Sequence, residues 1–266
     1  MSGNVDLYNT AYGNPTTEVY REIRNETYGE DFGQTSWMDS REFQEIPHHL
    51  ALTSASHVLE IGSGAGGCGL HLAGALNCRV VGLDANAEGV RNSNSLAQSR
   101  GLSGLASFQQ ADAGERLPFD NESFDAAYSN DAFCHVPNRA ALLAEIHRVL
   151  KPGGRLLYSD ALVVSGLITN EELATRSSIG YYLFAPLGEN EKIIKAAGFE
   201  LLSAIDTSEG AAAIAKRWRD ARSKRKAALI SVEGETNFSG LQKFLECVHT
   251  LTGEGRLSRF LYLAGK

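Results

Sequence analysis

The chain has 266 residues, 43% of them hydrophobic, with 25 basic against 32 acidic side chains and a formal net charge of −7. That length suits one globular domain with insertions, large enough to bury a core without disulfides or a metal. The acidic balance argues against a nucleic-acid partner, and no apolar run approaches the roughly 18 residues of a membrane span.

Residues 1–38 are polar and rich in Tyr, Asn and Gly, and read as a lid, with a helix-like patch at 17–24. Asp39 followed by Glu42 has the form of a capping box, and Phe43, Ile46 and Leu50 then recur at helical spacing, with Pro47 as a kink. From residue 57 onward strand and helix alternate: strand 58–61, helix 66–75, strand 79–83, helix 87–100 stopped by Gly101, and strands 106–110 and 124–129. Helix 139–150 carries Leu142, Leu143, Ile146 and Leu150 on one face, is closed by Lys151-Pro152-Gly153-Gly154, and leads into strand 155–159.

After Asp160 the rhythm breaks, and 161–190 reads as a second lid piece within a core spanning 39–208. A helix at 191–197 and a strand at 199–205 follow, then a helical insertion at 209–252 and a closing edge strand within 253–266. This alternation predicts an α/β, doubly wound, mostly parallel seven-stranded sheet, in which ligands bind at the carboxyl ends of the strands. The four cysteines, Cys68, Cys78, Cys134 and Cys247, form no paired motif and read as buried small side chains. Together with an N-terminus that lacks a basic flank and an apolar segment, they give the expectation of a cytoplasmic protein.

The glycine burst after the first strand satisfies G-x-G-x-x-G with Gly62, Gly64 and Gly67, the dinucleotide fingerprint. Asp84 ends the second strand, where an acid accepts from ribose hydroxyls. Glu60 would crowd a pyrophosphate but suits a ligand carrying an amino group. Asp112-Ala113 ends the third strand, where the acid can accept from an adenine amine and the next amide can donate to the ring. These features favour a nucleoside with a charged side chain over a dinucleotide.

The ordered set VLEIGSGAGG, VVGLDAN, ADAGERLPF, FDAAYSNDAFCHV and HRVLKPGGRLLYSD resembles the class I S-adenosylmethionine-dependent methyltransferases over about residues 50–205. The resemblance implies S-adenosylmethionine as cofactor, with Glu60 and the close-approach glycines Gly62 and Gly64 around it. It implies Asp84 on the ribose, Ala85 or Asn86 beside the adenine, Asp112 and Ala113 on the adenine edge, and Asn130 lining the cleft. YSNDAFCHV is similar to the phosphoethanolamine and sarcosine/dimethylglycine N-methyltransferases, in which an Asp and a His lie four residues apart. Here these are Asp131, implied beside the substrate amine, and His135, the implied base. YGEDFGQTSW resembles the lid of that group, which implies Gln34 and Thr35 at the cofactor. It also makes Tyr12, then Tyr20 eight residues on, the candidates for a latching tyrosine.

Blander readings stand beside these. His135 could be satisfied by backbone, and Asp131 could cap a helix. Tyr181 and Tyr182 could be packing or substrate contacts, and Arg176 could anchor an acidic substrate group or be a solvated arginine. His48-His49 has no third ligand at suitable spacing, so no metal is expected. The basic run at 215–226 reads as a solvated helix with Trp218 and Ala221 inward. The expected function is methyl transfer to a small-molecule acceptor, the nitrogen of a small amine. The alternatives are C- or O-methylation of a quinone-, sterol- or polyketide-like acceptor, an NAD-dependent oxidoreductase, and a non-catalytic S-adenosylmethionine-binding protein. Monomer and dimer both stay open.

Overall fold

The structure is a computed structural model that describes residues 5–13 and 17–266. Its sheet is built from β1 (His57–Ile61), β2 (Arg79–Asp84), β3 (Ala106–Gln110), β4 (Phe124–Ser129), β5 (Leu150–Val164), β6 (Ala185–Pro186), β7 (Glu200–Asp206) and β8 (Leu257–Gly265). The order is β3-β2-β1-β4-β5-β8-β7, with the two-residue β6 pairing β5 off this path. All pairings are parallel except those of β8, which runs antiparallel to both of its neighbours. This is the expected doubly wound α/β fold.

Alternation along β1 shows how the sheet separates two hydrophobic layers. Val58 joins Phe43, Ile46, Leu70, Leu72 and Tyr128 on one side. Leu59 and Ile61 join Leu142, Leu143, Ile146 and Leu156 on the other. The strand order reverses between β1 and β4, where Ile61 lies beside Ser129. The Ser129 hydroxyl donates to the Ile61 carbonyl at 2.9 Å, so the two strand ends bordering the crevice are pinned level.

Four expectations need correcting. The last strand is not an edge: β8 lies between β5 and β7, and β7 is the outer strand. β5 continues through Ala161, Leu162 and Val163, all buried, so the segment expected to begin a lid piece there is instead core strand. Asp39 caps the helix Ser40–Gln44 by accepting from Arg41 N and Glu42 N, but Glu42 does not return the bond and turns instead to Arg259. Pro47 does not kink one helix; it sits inside a separate short helix, Ile46–His49.

A third apolar cluster joins segments far apart in the chain. Leu7, Tyr20, Ile23, Tyr28 and Trp37 pack with Ala211, Ile214, Trp218, Leu241 and Phe244 of the insertion, whose helices are Ser208–Lys224, Lys226–Glu233 and Glu235–Gly253. Most of the basic run is solvated or paired at the surface, as with Lys224 to Glu26 at 2.7 Å. Arg222 is the exception, buried against Glu233. The N-terminal helix Glu18–Tyr28 is thus part of a packed cap.

Amides within 18–28 should therefore exchange about as slowly as those of 208–224 in the free protein, because they share one buried cluster. Fast exchange confined to 18–28 would show that this helix is a mobile lid.

Candidate active site

A cleft of about 420 Å³ opens at the carboxyl ends of β1, β2 and β4, within the usual range of small-ligand sites. On one wall the chain leaves β1 through Gly62 (φ 74°) and Gly64 (φ 54°), both left-handed. A side chain at 62 would overlap Ala132, and a Cβ at 64 would lie 2.9 Å from the Tyr12 hydroxyl. Glycine is required at both because the opposing wall approaches so closely.

Asp84 ties this loop to the next strand end. Its Oδ2 accepts from Gly64 N at 2.7 Å and its Oδ1 from Asn86 N at 2.8 Å. Burial raises its pKa above the ordinary carboxylate value, although these two bonds pull the other way. Asn86 caps the helix Ala87–Ser99 by accepting from Gly89 N, and its amide donates to Asn9 at 2.9 Å. Glu60 is buried on the cleft wall, its Oε2 without a partner, and burial pushes its pKa up to about 8. Ala85, Asp112, Ala113 and Asn130 line the same cleft. Asp112 is exposed and accepts from Gly114 N, and Asn130 donates to Ser36 Oγ at 2.6 Å. Gln34 and Thr35 also line it, but the Gln34 amide folds back on its own loop, accepting from Phe32 N and donating to Glu30 O.

The other end is aromatic. His135 Nδ1 lies 2.9 Å from the Tyr181 carbonyl and Nε2 lies 2.8 Å from the Tyr8 hydroxyl. A carbonyl only accepts, so this network assigns the proton to Nδ1, and Tyr8 donates to Nε2. Burial lowers the pKa of His135 below its ordinary 6.5 and raises that of Tyr8 well above 10, so both are neutral at neutral pH. The Tyr182 ring lies 4.5 Å from the imidazole, centroid to centroid.

The structure brings Glu60, Gly62, Gly64, Asp84, Ala85, Asn86, Asp112, Ala113, Asn130, Gln34, Thr35, Tyr12, Asp131, His135 and Tyr181 to one cleft. Several of them stand otherwise than expected. Tyr20 is outside it: its helix turns that face into the cap, and its hydroxyl donates to Glu233 at 3.1 Å. The tyrosine that meets His135 is Tyr8, which the eight-residue spacing overlooked. Tyr8 and Tyr12, one helical turn apart on Tyr8–Gly13, share a face, and Tyr12 covers Gly64 rather than latching the imidazole.

Asp131 is no free carboxylate. It accepts from Trp37 N at 2.8 Å, Ser159 Oγ at 2.9 Å and Arg259 Nε at 2.9 Å. Arg259 was itself invisible to motif reading. Arg176 is 1% exposed rather than solvated, and it stands behind the cleft wall. Its guanidinium lies 4.7 Å from the Tyr182 ring and 5.7 Å from the Trp37 ring, with Nε and Nη1 unpartnered. Tyr181 offers its carbonyl while its ring is 54% exposed at the rim. Among the described residues no group of three or more His, Cys, Asp or Glu side chains is arranged to hold a metal, and no helix is long and apolar enough to cross a membrane.

Residues 59–158 match the family described as a methyltransferase domain. The chain is 31% identical over 195 residues to sterol 24-C-methyltransferase ERG6B of Gibberella zeae, covering 70% of this chain and 50% of that protein. It is 28% identical over 204 residues to 27-O-demethylrifamycin SV methyltransferase of Amycolatopsis mediterranei, covering 72% and 75% respectively. In fold it is similar to phosphoethanolamine N-methyltransferase 2 of Haemonchus contortus bound to S-adenosyl-L-methionine, with a TM-score of 0.80, 20% identity, and 97% and 59% of the two chains covered. The names of these three proteins give carbon, oxygen and nitrogen as methyl acceptors. The three proteins thus share a named methyltransferase activity but differ in the acceptor atom.

Asp84→Ala should weaken S-adenosylhomocysteine binding by about ten- to a hundredfold, as expected for losing hydrogen bonds worth about 1–3 kcal/mol. Calorimetry on the folded variant checks this, and unchanged affinity would place the nucleoside elsewhere.

Proposed function

We propose that this chain, which carries a methyltransferase domain over residues 59–158, transfers the methyl group of S-adenosylmethionine to an acidic hydroxyl of a small molecule. The observation that carries this reading is the Tyr8–His135 pair, a neutral imidazole whose Nε2 lone pair accepts from a phenol on the cleft wall. Such a pair serves an acceptor that must lose a proton before it can attack.

When bound, the cofactor supplies an electrophilic methyl on a sulfonium. The cleft suits it: the left-handed glycines admit close approach, Asp84 has lone pairs left for ribose hydroxyls, and the unpartnered Glu60 Oε2 suits an amino group. The reaction asks the protein to align acceptor and methyl and to exclude water. Tyr8, Tyr12, Trp37 and Tyr182 enclose the acceptor end with rings. With the methyl supplied by the bound cofactor, the acceptor's hydroxyl proton would pass to Tyr8 Oη, whose own proton would pass to His135 Nε2. The Tyr181 carbonyl fixes the imidazole through Nδ1–H and stabilises the imidazolium.

Charge supports an oxygen nucleophile. Asp131 already serves Arg259, whereas the buried Arg176 has no acidic partner among the described residues and favours an acceptor bearing negative charge. A second reading, a small amine, is favoured by the ring faces, which attract cations. Product masses from phenol and amine panels test the two, and methylation of amines alone would overturn the hydroxyl reading.

His135→Ala and Tyr8→Phe should each lower turnover by about a hundredfold, within the range of general acid–base catalysis, with cofactor affinity little changed. The base acts only when neutral, and burial depresses its pKa. The acid limb of kcat/KM in the parent enzyme should therefore lie below pH 6.5, with activity lost only as pH falls through it. An acid limb above 6.5, or full turnover in His135→Ala, would remove His135 from the chemistry.

A further inference from the structure

Arg259 on β8 is fully buried and reaches Asp131, which lines the cleft. Its Nε donates to Asp131 Oδ1 at 2.9 Å, and its Nη1 donates to Glu42 Oε1 and Oε2 at 2.8 and 2.9 Å and to Thr207 Oγ1 at 2.7 Å. Asp131 is a non-glycine residue in the left-handed region, φ 55°, directly after Asn130 at the end of β4. A carboxylate held on one side by Trp37 N and on the other by Arg259 keeps that strained turn in place. The turn leads through Phe133–His135 to the imidazole. We infer that Arg259 is a positioning residue of the acceptor site: it holds Asp131 in this turn and offsets its charge, so that the loop presents the His135 ring to Tyr8.

This rests on His135 being the base, and it goes further by assigning a role to a residue that touches neither acceptor nor cofactor. The groups that face His135 are the Tyr8 hydroxyl, the Tyr181 carbonyl and the Tyr182 ring, and the charges of Arg176, Asp131 and Asp160 act on it electrostatically. Asp160 is paired with Arg139, and Asp131 with Arg259, which it shares with Glu42. Removing the cation at 259 leaves both Asp131 and Glu42 without it, and the Asp131 carboxylate then acts on the imidazole and favours its protonated form.

The test is an NMR titration of His135 in the S-adenosylhomocysteine-bound protein, run beside the pH profile of kcat/KM. Arg259→Gln should move the His135 midpoint up by about one pH unit, with the acid limb of activity following it. Asp131→Asn should move it down, and the double variant should return it near its starting value. Arg259→Lys, which keeps the charge, should leave the midpoint in place while lowering kcat more than it raises KM for the acceptor. Should Arg259→Gln not fold, the downward shift in Asp131→Asn decides the question. A midpoint unmoved in every folded variant, with melting temperature alone reduced, would overturn the inference. A midpoint that shifts while the acid limb stays put would support the charge role of Arg259 and refute His135 as base.

Discussion

One buried guanidinium sets the terms for the acceptor half of this protein. Taking an arginine and two carboxylates out of water costs several kcal/mol per ion, recovered only when every donor and acceptor meets its partner. Arg259 meets Glu42 from the first core helix, Asp131 from the loop after β4, and Thr207 at the start of the insertion. Asp131 adds the backbone of Trp37 from the N-terminal segment. None of these elements can shift without uncovering a charge, so cap, sheet and reaction loop hold one register.

The cofactor half rests on a more local constraint. Asp84 bonds to the glycine loop twenty residues before it and to its own turn, and the strand ends are levelled by Ser129 on Ile61. Because the Asp84 bonds lie within one βαβ unit, their signature is readable as pattern. Glu60, Gly62, Gly64, Asp84, Asp112 and Asn130 could be named from spacing and resemblance, and all line the cleft.

Where the sequence misled, the deciding interaction was distant. Tyr8 reaches His135 across 127 positions, and Tyr20 is drawn away by Glu233 across 213. Arg259 meets Glu42 across 217. Arg176 has the composition of a surface residue, and only the packing of Trp37, Tyr182 and Phe244 shows that its cation is enclosed by rings. The position of β8 escaped for a related reason: periodicity reports that a stretch is a strand but not which strands flank it.

That position of β8 also fixes an order of assembly. Among the described residues β7 pairs in the sheet only with β8, which is made some fifty residues later. On a growing chain, β1 to β5 can pair and bury both faces while β7 still waits unpaired. Glu42 and Asp131 lack their cation for the same interval, since Arg259 arrives on the same strand. The nucleoside end of the cleft can therefore form early, whereas the floor beneath the acceptor closes only when β8 slides between β5 and β7.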